Sequence, residues 1–161
     1  MPQWTLFEND FRAIDQVLSD LLEKTNALSV HLVDRSGQLI TTSGRSADFD
    51  ATSFASLVAA DFTANAELSQ LMGDTSIAAV VNEGRSRTVY SCLLADRVIM
   101  CIVFDRRSTL GLVRLRASRA ARMLDGVFRV LFEKVGTVEA GSGAGDYAAA
   151  AGREVDALFG D

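Results

Sequence analysis

Histidine, lysine and cysteine are scarce in this chain of 161 residues, which holds one His, two Lys and two Cys. Each scarcity closes off a chemistry. An acyl-transfer triad needs an activated nucleophile beside a base, yet the only histidine, His31, falls inside an expected strand, where packing is the plainer role. Gly141-Ser142-Gly143 lacks the full nucleophile-elbow pattern and does not sit between a strand and a helix. A phosphate-binding loop requires Gly-Lys-Ser/Thr, but neither Lys24 nor Lys134 follows a glycine, so the chain has no such route to GTP. Cys92 and Cys101 have no CxxC spacing and no histidine cluster nearby, so a zinc site lacks ligands and the two thiols are expected to pack. No metal, cofactor or catalytic residue is expected.

Long hydrophobic runs are missing as well. The longest, Val98 to Phe104, is far below the roughly 20 residues that span a bilayer as a helix, so no membrane insertion is expected. The first eleven residues carry no Lys or Arg and lead into an amphipathic stretch, which opposes a secretory signal and makes a cytoplasmic protein the expectation. Excess positive charge is absent too. A net charge of −5 argues against non-specific attraction to nucleic acid or anionic lipid.

What remains is an ordinary globular composition, 48% hydrophobic and 23% charged, long enough to bury one core without disulfide or metal. Phe11, Ile14, Val17, Leu18, Leu21 and Leu22 recur at helical steps from Asn9 or Asp10 onward. The pattern then alternates through Leu28–Val33, turns at Asp34-Arg-Ser-Gly37 and resumes at Gln38–Thr42, which predicts a hairpin. Asp50 or Thr52 can cap a second helix running to Gly73 through Phe54, Leu57, Val58, Phe62, Leu68 and Leu71. Three strand-like runs follow, Ile77–Asn82, Thr88–Leu94 and Val98–Phe104. Ser108 or Thr109 can cap a third helix along Leu110, Val113, Ala117, Ala120, Leu124, Val127, Leu131 and Val135.

The order α-β-β-α-β-β-β-α predicts an α/β sandwich, a five-stranded antiparallel sheet with helices on both faces. The domain is expected over residues 1–135. Gly-rich residues 136–146 read as a linker, and residues 147–161 as an amphipathic segment with Tyr147, Ala151, Val155, Leu158 and Phe159 on one side. Such a segment is too short to be stable alone. Arg106, Arg107, Arg114, Arg116, Arg119 and Arg122 crowd the start of helix three; a basic face is the plain reading and an arginine finger the sharper one. Arg45, Arg85, Arg87 and Arg97 are further finger candidates in loops. Carboxylate pairs such as Asp15 and Asp20 read as solvated helix surface.

Four segments together carry a family likeness. They are Leu32-Val-Asp-Arg-Ser-Gly-Gln-Leu-Ile40, Asp50-Ala-Thr-Ser-Phe-Ala-Ser-Leu57, Val103-Phe-Asp-Arg-Arg-Ser-Thr-Leu-Gly-Leu-Val-Arg-Leu-Arg116 and Val155-Asp-Ala-Leu-Phe159. On these the chain resembles the Roadblock/dynein light-chain family, and within it the bacterial MglB-like proteins. The resemblance implies a homodimer, formed by pairing of the second helices and joining of the third strands. It also implies that the dimer activates an MglA-like Ras-family GTPase in cell polarity and gliding motility, without its own active site and without donating an arginine finger. Carried over, the GTPase-binding residues are Ala59, Ala60, Thr63, Ala64 and Glu67, with a second contact from Val155, Leu158 and Phe159. One departure stands out: where the family tends to small residues, helix two has Asp61, Phe62 and Glu67. That departure keeps a non-catalytic scaffold or adaptor as the alternative. A ligand sensor, the remaining class, would need buried polar groups beyond His31 and Tyr90.

Overall fold

The computed structural model describes residues 3–45 and 48–141, with side chains described from residue 7 to residue 137 of these. Eight elements follow in the expected order: α1 (Gln3–Thr25), β1 (Ser29–Asp34), β2 (Leu39–Gly44), α2 (Ala51–Leu71), β3 (Val80–Glu83), β4 (Thr88–Leu94), β5 (Val98–Phe104) and α3 (Leu110–Gly141). The strands form one antiparallel sheet in the order β2-β1-β5-β4-β3. Consecutive strands 3 to 5 make a meander, and β1 enters beside β5, leaving β2 and β3 as the two edges.

Period-two alternation divides the central strand β5 between two cores. Val98, Met100, Ile102 and Phe104 face α1 and α3, whereas Ile99 and Cys101 face α2. That explains why β5 reads as an unbroken apolar run: both of its faces are covered. Ile14, Leu18 and Leu21 of α1 meet Val113, Leu124, Phe128 and Leu131 of α3 in the larger core. The smaller core lies under α2, where Ala55, Val58, Ala59 and Phe62 close over Val33, Val80, Ile99 and Cys101. Cys92 belongs to the first core and Cys101 to the second, both free, with burial pushing each thiol up to about 12.

Element ends follow local chemistry. Asn26, in the left-handed region at φ 55°, stops α1, and its N–H still reaches Leu22 O at 2.9 Å. Asp50 caps α2 by accepting from Thr52 N and Ser53 Oγ. Thr109, not Ser108, caps α3, its Oγ1 accepting from Leu112 N at 3.2 Å.

Three boundaries differ from the sequence expectation. Helix α1 begins at Gln3, ahead of Asn9. Strand β3 begins only at Val80, because Ile77 to Ala79 form the approach to the sheet edge. The largest correction is at α3, which continues through Gly136 to Gly141, so the first residues of the expected linker 136–146 are helical. A glycine inside a helix costs about 1 kcal/mol against alanine, which a helix already anchored by Leu131 and by the Lys134–Asp10 ion pair at 2.9 Å absorbs. The rest of that linker and residues 147–161 lie outside the described residues.

Candidate functional site

The turn between β1 and β2 lies against α2 and makes one wall of a surface groove. Asp34 organises this turn: its Oδ1 accepts from Ser36 N at 2.8 Å, its carbonyl from Gly37 N, and its N–H donates to Gln38 O. Gly37 has a φ of 98°, and a Cβ there would stand 3.4 Å from Ser56 Cα and 3.9 Å from the Ala59 methyl. Those are ordinary contacts, so it is the positive φ of the turn, not space against α2, that calls for glycine here. Arg35 is held by its N–H to Arg97 O at 3.0 Å and by its guanidinium to Asp96 O at 3.4 Å.

The groove, about 450 Å³, is lined by Arg35, Ser36, Ser56, Ala59, Ala60, Thr63, Ala64 and Glu67. All five helix-two residues named from the sequence thus line one concave surface. Ala59 is buried and forms its floor, while the other four stand at least partly open to solvent around it. Small side chains keep the backbone of α2 open to close approach, Thr63 adds a hydroxyl, and Arg35 and Glu67 supply one charge of each sign. Such a surface can dock a protein. Arg35, Ser36 and Ser56 were not singled out from the sequence; the signal was the Asp-Arg-Ser-Gly turn, whose contact with α2 only the tertiary fold reveals.

Two of the three departures in helix two are engaged in contacts within the chain. Phe62 is only 2% exposed and fills the smaller core. Asp61 accepts from Asn65 Nδ2 at 2.9 Å and from Asn82 Nδ2 at 2.8 Å, which ties α2 to β3. Of the three unusual residues only Glu67 faces outward in the groove.

A second feature of α2 is an apolar stripe beside the groove. Leu57, Leu68 and Leu71 are 70%, 54% and 87% exposed, and with Ala60 and Ala64 they recur at three- and four-residue steps. A helix with apolar residues on its outer as well as its inner side is usually covered by another element. Strand β3, in the same sheet, carries an unpaired edge.

Other residues marked in the sequence take structural roles. His31 is buried, its Nε2 3.0 Å from Ser29 Oγ and its Nδ1 3.1 Å from Thr42 Oγ1, with its ring against Phe54 and Phe49. Burial lowers its pKa to about 4, so the ring is neutral at physiological pH. Tyr90 packs in the larger core. Arg87 pairs with Asp48 in two bonds of 2.7 and 2.8 Å, Arg107 with Asp105, and Arg97 stacks 4.2 Å above the Phe132 ring. The arginines of α3 lie across the sheet from the groove. Among the described residues no cluster of three metal-ligating side chains occurs, and no helix is long and apolar enough to cross a membrane. Val155, Leu158 and Phe159 lie outside the described residues.

Comparison with known proteins agrees with this geometry. Residues 13–104 match the family model of the Roadblock/LC7 domain. The structure of Myxococcus xanthus MglB is similar with a TM-score of 0.71 and 37% identity, over 75% of this chain and 91% of that one. A gliding protein, MglB of Thermus thermophilus, is similar with a TM-score of 0.68 and 25% identity, over 73% and 90%. An MglB with a tetrameric arrangement gives 0.65 and 28%, over 72% and 87%. No curated protein sequence matches.

Proposed function

The chain belongs to the Roadblock/LC7 family, MglB-like within it, and from that premise we propose that it is a homodimeric regulator of a small Ras-like GTPase of the MglA type. It activates GTP hydrolysis in the partner's active site and contributes no catalytic residue. The observation that carries this reading is the α2 surface: the five helix-two positions converge on one groove, next to an apolar stripe fit for pairing with a second α2. Ala60 and Ala64 border both, so the groove opens directly beside the seam at which the two helices would pair. The unpaired β3 edge extends this pairing, with two β3 strands joining two sheets. The likeness to a gliding protein supports a cellular role in gliding motility, and the family resemblance implies a part in cell polarity.

The adaptor alternative drew its force from Asp61, Phe62 and Glu67; the first two are engaged in contacts within the chain, and only Glu67 keeps its charge in the groove. GTPase activation is therefore the better supported reading. A binding assay with an MglA-like GTPase loaded with GTP or GDP tests it. Tighter binding of the GTP form, lost in Thr63→Arg, is the expected result; undiminished binding by that variant would remove the groove from the account.

A further inference from the structure

On the other face of the sheet, α1 and α3 leave a second groove between them, about 580 Å³ in volume. Val17 and Leu21 of α1 and Ala120, Met123 and Val127 of α3 give it an apolar lining, and Met123 is 60% exposed. Three cations stand along it, Lys24, Arg116 and Arg119. Lys24 pairs with Asp20 at 2.8 Å, but Arg116 and Arg119 form no ion pair among the described residues. The Nε of Arg116 is buried and has no hydrogen-bond partner there. Two cations without an ion pair beside an apolar lining favour an occupant that is apolar on one side and brings carboxylates.

We infer that residues 147–159 of the same chain occupy this groove. Tyr147, Ala151, Val155, Leu158 and Phe159 recur at helical spacing, and Asp146, Glu154, Asp156 and Asp161 outnumber the single Arg153 around them. The lengths agree. From Gly141 back to Arg116 along α3 is about 38 Å at 1.5 Å per residue. Residues 142–146 extended span about 17 Å and thirteen helical residues about 20 Å more, so the segment reaches Arg116 when it returns antiparallel to α3. In that register Glu154 to Phe159 lie alongside Arg116 to Met123. Tethering raises the effective concentration of the segment to the mM range, so a contact too weak for a free peptide is populated within the chain. Docking covers Val155, Leu158 and Phe159. If these also contact the GTPase, as the family resemblance implies, the partner must compete for them; the docking itself does not rest on that reading.

A nitroxide spin label on Leu158→Cys of the full chain tests the inference, because Cys92 and Cys101 are buried with thiols pushed up to about 12 and do not take the label. Amide signals of residues 13–24 and 116–127 should broaden in a chain that carries both label and 15N. They should stay sharp in a mixture of labelled 14N chains with unlabelled 15N chains, and recover severalfold in the Glu154→Lys/Asp156→Lys variant, which leaves every described residue intact. Absence of broadening at these residues, or broadening elsewhere alone, would overturn the inference. So would broadening in the mixture, which would assign the groove to a second copy, or broadening that survives the charge reversal.

Discussion

Phe62 and Thr63 are neighbours on α2 with opposite duties, and their variants should separate folding from binding. Truncating the buried ring in Phe62→Ala is expected to destabilise the domain by about 3–5 kcal/mol in a urea titration. Thr63→Arg, on the exposed side, should change stability by less than about 0.5 kcal/mol while abolishing GTPase binding. His31 sets a pH window. Its folded pKa of about 4 lies below the ordinary 6.5, so between these values the unfolded chain binds more protons and stability drops as the pH is lowered. The stability held above pH 6.5 should decline by about 3 kcal/mol as pH falls to 4, and His31→Gln should flatten that slope. Asp48, Asp50, Asp105 and Asp125, held below the usual carboxylate range by their hydrogen-bond donors, act mainly at lower pH. A slope unchanged in His31→Gln would contradict the neutral buried ring. Among single residues, the helix-two positions named from the sequence line one groove, but the sequence could not tell that Phe62 points inward and Ala59 forms a floor. Both facts depend on how α2 rotates over β1 and β5.

At the scale of elements, periodicity and capping chemistry made the eight segments and their order readable, because amphipathic helices and two-faced strands write their burial into the residue pattern. Where the structure departs from the local pattern, the cause is tertiary. The glycine-rich composition after Val135 suggested a linker, yet α3 continues because its preceding turns are already docked on α1. A Cβ at Gly136 would meet nothing within 4 Å. Gly136→Ala should therefore stabilise the fold by about 0.5–1 kcal/mol, measured by thermal denaturation. A loss of stability would mean that the last turns of α3 are not helical. The groove wall formed by Arg35 and Ser36 was equally hidden, since nothing local to Asp34–Gly37 announces that the turn rests on α2.

For the whole molecule, the two faces of the sheet divide the work. One holds the main core with α1 and α3; the other presents α2, its groove and its apolar stripe, next to the open edge of β3. Pairing through that stripe predicts that Leu68→Asp halves the particle mass seen by light scattering, and an unchanged mass would place the dimer contact elsewhere. We propose that this surface activates a GTPase from outside the GTPase's own active site. GTP turnover by an MglA-like GTPase, measured with and without this protein, tests that claim most directly. The account predicts accelerated turnover that Thr63→Arg abolishes, whereas binding of the GTP form with turnover unchanged would contradict it and leave an adaptor in its place.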